Sequence, residues 1–240
     1  MRSQLSTAAR VYLVAVSAAA FAAAIVLSRS NPSAAQLPAF MIVAALGALA
    51  HAYPVRGFRH QAYQVTLPFI ILAAAMFSAV ELIAFIAVIH IAEQVRVRRR
   101  LYIQWFNACD YLASAAVAGI IYHRAALLLP ASPLGRLTAA LAAACTFILL
   151  NRLLLAAALW LARRLSPMAS GLFQPELLAA DLVIAWVAGP MLVVALEAGA
   201  WTVLVTAGPL LLVRPALSAL LGRQATQHEP PSVHVQAPAA

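Results

Sequence analysis

Apolar runs follow one another along almost the whole chain, at residues 11–27, 37–53, 63–92, 107–122, 136–161, 177–198 and 201–221. A helix that crosses a hydrocarbon core of about 30 Å takes roughly 20 such residues. Short basic or Pro-containing segments separate the runs. A water-soluble domain is usually about half apolar and a quarter charged. Here 65% of 240 residues are hydrophobic and 10% are charged. One core could not hide that much apolar surface from water, so the solvent is a bilayer. The expected fold class is an all-α integral membrane protein.

The charges set the expected topology. Sixteen basic residues face seven acidic ones, and every basic residue is Arg. A formal charge of +9 is one signature of a nucleic-acid partner. However, the arginines cluster between apolar runs, which is the pattern that positive-inside orientation produces, and no nucleic-acid partner is expected. Residues 63–92 decide the arrangement. As one helix they would be about 45 Å long, and they contain Ser78-Ala-Val-Glu81, an S-x-x-E capping box that starts a new helix. If 63–92 crosses once, Arg96, Arg98, Arg99 and Arg100 fall opposite Arg2, Arg10, Arg56 and Arg59. If it goes in and comes back, all eight share a side with Arg163, Arg164 and Arg223, and only Arg29, Arg124 and Arg136 lie opposite. The second arrangement obeys the positive-inside rule.

The segment is therefore a split pair, 63–77 and 78–93, either re-entrant or spanning twice. The expectation is a bundle of about eight apolar helical segments, six full spans plus the pair at 63–93, with both termini cytoplasmic. Residues 1–10 form a cytoplasmic N-terminus and 11–222 one transmembrane domain, whose first segment is a retained helix rather than a cleaved signal. Residues 223–240, polar and Pro-rich, read as a disordered cytoplasmic tail. Gln94–Phe106 reads as a basic cytoplasmic loop and His123–Gly135 as an outer loop. Gly189-Pro190 is expected to interrupt and bend its span.

Ionisable residues inside spans are site candidates, because burying them in lipid is costly. Asp110, Arg152 and Asp181 all fall in the cytoplasmic half. Arg152 pairing with Asp110, Asp181 or both admits two readings: charge-assisted bonds that tie three helices together, or a ligand or proton site. His51 and His90 lie near the cytoplasmic ends of two spans, with His60 on the same side. They are a weak candidate for metal or haem ligation, because no two of these histidines have i,i+3 or i,i+4 spacing. No metal site is assigned. Glu93 reads as a surface partner of the arginine loop, and Glu81 and Glu197 lie near the outer face. Arg96, Arg98, Arg99 and Arg100 are expected to meet lipid headgroups or a partner. Cys109 and Cys145 carry no metal spacing. No catalytic motif is present, and no catalytic residue is assigned.

Several strings carry a family likeness. They are His51-Ala-Tyr53-Pro54-Val55, the split pair, Phe106-Asn107-Ala108, Asn151-Arg152-Leu153-Leu154 and Gly208-Pro209-Leu210-Leu211. In that order, over residues 10–222, they resemble the multi-spanning N-terminal membrane domain of bacterial cyclic-di-GMP signalling proteins of the GGDEF and HD-GYP types. The layout is also similar to the substrate-binding membrane component of energy-coupling vitamin transporters. The first resemblance implies a membrane sensor or anchor in the bacterial inner membrane. Pro230-Pro231 stands where a linker to an output enzyme would begin, so no output activity is carried over. The expected function is a non-enzymatic sensor or anchor, or an accessory subunit of a larger membrane complex. The alternative is a transporter, or the substrate-binding component of one, with a polar site at Asp110, Arg152 and Asp181. Its partners are the bilayer and another membrane protein. No cofactor is specified, although the alanine-rich stretches suit a bound lipid or pigment.

Overall fold

A computed structural model describes residues 6–30, 36–53, 55–56, 62–63 and 65–208. Seven helices follow in order: α1 (Thr7–Ser30), α2 (Leu37–Ala52), α3 (Leu67–Met76), α4 (Ala79–Val97), α5 (Leu101–Leu128), α6 (Pro133–Arg163) and α7 (Pro175–Ala198). Residues 202–208 are helical again. The departure from an all-helical chain is a two-residue antiparallel ribbon between α2 and α3, with Val55 opposite Tyr63 and Arg56 opposite Ala62. Among the described residues, α1, α5, α6 and α7 are long and apolar enough to cross a membrane. The expected tail at 223–240, the remainder of the last span, and His60 lie outside the described residues.

Local chemistry places the helix ends. Proline stands in the first turns of α2, α3, α6 and α7, where its missing N–H has no helical partner to lose. Ser78 caps α4 through the expected box: its hydroxyl accepts from the Glu81 N–H, and the Glu81 carboxylate accepts from the Ser78 N–H at 2.8 Å. At the other end of α4, Arg98 turns left-handed at φ 51°, and its N–H donates to Gln94. The basic loop expected at Gln94–Phe106 therefore shrinks to residues 98–100, because Leu101-Tyr102-Ile103 already belongs to α5. The outer loop expected at His123–Gly135 shrinks in the same way to 129–132. Nothing between Arg124 and Leu128 breaks a helix before Pro130.

The pair α3–α4 goes in and comes back. His51, near the end of α2, touches Thr66 at the start of α3 and Glu93 near the end of α4, at 3.3 and 3.4 Å. At the far end, Phe77 after α3 packs on Phe40 at the start of α2, with ring centroids 5.4 Å apart. Residues 66–93 thus begin and end at one level. With ten residues, α3 rises only about 15 Å, half the hydrocarbon thickness. Every residue from Leu67 to Ala75 is buried, and α2, α4, α5, α6 and α7 all pack against this short helix.

The outer surface is apolar. Val11, Val14 and Ile25 of α1, Leu127 and Leu128 of α5, and Val183 and Trp186 of α7 all face outward. Lipid tails solvate such a surface, so helix association rests on close packing rather than on escape from water. Accordingly Ala139, Ala140, Ala143 and Ala144 of α6 and Ala115, Ala116 and Ala118 of α5 are all wholly buried. Gly119 of α5 has the same role. A Cβ there would lie 2.7 Å from the backbone oxygen of Ala74 in α3. Gly189 does it again in α7, where a Cβ would come within 2.4 Å of Leu137 on α6. The expected interruption at Gly189-Pro190 does not occur: α7 continues as one helix from Pro175 to Ala198, and the glycine admits a neighbouring helix.

Gly119→Val tests this packing. It should lower stability by about 1–3 kcal/mol, the usual cost of overpacking, in a denaturant titration of the detergent-solubilised protein. Gly208→Ala, with nothing within 4 Å of the added carbon, should leave the midpoint unchanged.

Candidate functional site

The ionisable side chains expected inside the bundle lie in two groups at the same end. The first is built around Glu93. Its Oε2 lies 3.4 Å from His51 Nε2 and 3.6 Å from His90 Nδ1, and its Oε1 lies 2.9 Å from Arg99. His90 and Glu93 are neighbours on one face of α4 because i and i+3 are adjacent there. His51 reaches them from the last turn of α2. Gln104, in the first turn of α5, donates to the Glu93 carboxylate at 3.2 Å and to the His90 carbonyl at 2.7 Å. The Tyr111 ring forms the floor, edge-on to His51 and His90 with centroids 5.2 and 4.9 Å away. All these groups except Arg99 are buried. One donor atom from each of His51, His90 and Glu93 lies within 4.8 Å of the others.

Glu93 is thus a correction to the surface partner expected from sequence. It does pair with the arginine loop through Arg99, but from a buried position at 6% exposure. The two histidines are buried, each with its ring nitrogen Nδ1 within hydrogen-bond distance of a polar side chain. Their rings meet at 4.7 Å, which leaves no room for a macrocycle between them. The signal that sequence reading missed is His90-x-x-Glu93. Histidine spacing alone does not reveal this face, because a carboxylate completes it.

The second group divides the expected triad. Arg152 donates from Nε to Asp181 Oδ2 at 3.1 Å and from Nη2 to the same oxygen. Asp110 stands apart: it accepts from Ser114 at 3.4 Å and from Asn151, and it forms no ion pair among the described residues. The helical turn explains the split. Asn151 and Arg152 are consecutive and project about 100° apart, so one reaches α5 while the other reaches α7. All three ionisable groups are buried, and the arrangement ties α6 to both neighbours.

The four arginines expected to meet lipid or a partner have unlike surroundings. Arg96 donates to the last carbonyl of α2, at Ala52, and its guanidinium lies 3.9 Å over the Tyr53 ring. It therefore caps α2, where the helix dipole favours a cation. Arg99 holds Glu93. Arg98 and Arg100 are exposed and form no ion pair among the described residues. Arg100 joins Arg99, Arg163, Tyr12 and Tyr102 around a cavity of about 610 Å³ between α1, α5 and α6, with Leu13 and Leu159 among its apolar walls. Tyr12 is fixed there by donating to the Leu154 carbonyl at 2.8 Å.

No protein-family model matches the chain, no curated protein matches it, and no solved structure does.

The Arg152–Asp181 pair has a measurable consequence. Asp181→Ala leaves a buried guanidinium uncompensated and should cost about 3–5 kcal/mol, whereas the double change Arg152→Met with Asp181→Leu should recover most of that loss. Asp110→Asn, which removes no ion pair, should cost less than about 1.5 kcal/mol, the range of one hydrogen bond. Denaturant midpoints of the four proteins in one detergent check the order.

Proposed function

We propose that this chain is a non-enzymatic, multi-pass module of the bacterial inner membrane that serves as a sensor or anchor, or as an accessory subunit of a larger membrane complex. The observation that carries this reading is where the polar chemistry lies. A buried, hydrogen-bonded layer sits at one end of an apolar bundle, beneath an arginine rim. Arg10, Arg96, Arg98, Arg99, Arg100, Arg163 and Arg164 belong to that end, and Arg29, Arg124 and Arg136 to the other. By the positive-inside rule the arginine-rich end is cytoplasmic. That orientation puts the N-terminus in the cytoplasm and makes α3–α4 a pair that enters from that side and returns to it. Six full spans then follow from α1, α2, α5, α6, α7 and the segment beginning at residue 202, and the C-terminus is cytoplasmic too. The cavity between α1, α5 and α6 suits an anionic amphiphile, whose headgroup the arginines would hold. The resemblance to the membrane domains of cyclic-di-GMP signalling proteins agrees with this reading.

The transporter reading draws on the short, buried α3, since half-helices frame substrate sites in transporters. Against it, the cavity at the arginine end is lined by none of Asp110, Arg152 and Asp181, and the Arg152–Asp181 pair is closed on itself. If the transporter reading holds, Arg152→Ala should abolish uptake in proteoliposomes.

Two measurements test the main proposal. In a background of Cys109→Ala and Cys145→Ser, Ala131→Cys should react with a membrane-impermeant maleimide in intact spheroplasts, and Ser166→Cys only after permeabilisation; the opposite pattern inverts the topology. Native mass spectrometry from mild detergent should give a mass above the 25.4 kDa of the single chain. A bare monomer from the native membrane removes the case for a partnered module.

A further inference from the structure

We propose that His51, His90 and Glu93 form a binding site for one divalent transition-metal ion of the zinc class. The proposal deepens the reading of the polar layer as the functional site, but its test is independent of topology and of partners. It starts from a convergence of donor atoms. His51 Nδ1 lies 3.3 Å from the Thr66 hydroxyl. His51 Nε2 faces the Glu93 carboxylate at 3.4 Å, yet it has no hydrogen-bond partner. His90 Nδ1 lies 3.6 Å from the same Glu93 oxygen, and His90 Nε2 has no hydrogen-bond partner either. A nitrogen of each imidazole and a carboxylate oxygen therefore meet inside a buried layer. A cation held among them would take all three as ligands.

The two His–Glu93 distances are compatible with a shared ion. Charge-assisted N–H···O bonds run at about 2.7–2.9 Å, shorter than both contacts. With metal–ligand bonds of about 2.0–2.1 Å, the edge of a tetrahedron is about 3.4 Å. Two of the three separations are 3.4 and 3.6 Å, and all three donor atoms lie within 4.8 Å of one another. Two imidazoles and one carboxylate are also a donor set that zinc takes in three-ligand sites, with a fourth position left for water or another ligand.

The surroundings have the form of an outer shell. Thr66 orients His51. Arg99 pairs with Glu93 Oε1, and Gln104 donates to Oε2, the oxygen nearest the histidines, and to the His90 carbonyl. Tyr111 closes the floor. Ligands from α2 and α4 would then be locked together by the ion, at the level where the α3–α4 pair begins and ends. Occupancy of this site is a signal that a membrane module without an enzyme could report.

The test uses the full chain, purified without a histidine tag, stripped with chelator and titrated with zinc and with cobalt. The expected result is one zinc ion retained per chain after desalting, with the intense visible absorption of tetrahedral cobalt in the substituted protein. His51→Ala and Glu93→Gln should each abolish stoichiometric retention. Thr66→Ala should weaken affinity by about 10–100-fold, the usual effect of removing an outer-shell partner. Failure of the wild type to retain zinc overturns the proposal. So does wild-type retention in a His51→Ala, His90→Ala double variant, because the ion would then sit on other histidines. If those variants do not fold, the cobalt spectrum of the wild type decides alone: weak octahedral absorption overturns the site.

Discussion

Each buried Asp, Glu, His and Arg among the described residues has a polar partner, and in most cases that partner comes from another helix. Lipid offers no water to replace such a partner, so these pairings constrain which helices meet and at what height. Glu93 joins α4 to α2 through His51 and to the start of α5 through Gln104. Arg152 joins α6 to α7 through Asp181, and Asn151, one residue earlier, joins α6 to α5 through Asp110. The helices that carry these groups also carry the small residues that let backbones approach, such as Ala143 and Gly119. Close packing supplies the general attraction, while the polar pairs select the register.

The short helix α3 depends on this arrangement. Ten residues cannot cross a bilayer, and a helix end left in lipid exposes backbone groups with no partner. Here both difficulties are met by burial inside protein. The start of α3 lies beside His51, and its end passes at Phe77 into the capping box of α4. The box marks the reversal, because it satisfies N–H groups at the start of α4 that have no helical partner. A local serine and glutamate thereby turn one long apolar run into a pair that leaves and returns at a single level.

Much of this was legible in the sequence, for reasons that can be traced to particular residues. Long apolar stretches specify helices in lipid whatever their neighbours are, so the helices and their order follow. Ser78 and Glu81 mark the break because a capping box is a local motif. The arginine pattern pointed to a return because the alternative spread like charges over both faces. Loop boundaries were less legible. Leu101-Tyr102-Ile103 and Arg124–Leu128 are good helix formers beside charged or polar neighbours, and hydropathy read them as loops. Gly189-Pro190 carried the signature of an interruption, yet Gly189 is there to admit Leu137, a demand set by another helix.

The sequence by itself determined that this chain belongs in a bilayer, that it is built of helices, and that Asp110, Arg152 and Asp181 would be buried in them. These follow from composition, run length and local caps, which act over a few turns of helix. Only the tertiary structure decided the pairings. It separated Asp110 from Arg152 and Asp181, because consecutive residues on α6 face different neighbours. It also drew Glu93 from the expected surface into a layer with His51, His90, Gln104 and Tyr111. Those groups come from α2, α4 and α5, up to sixty residues apart in sequence, and no periodicity along one helix encodes which side chains of another will meet it.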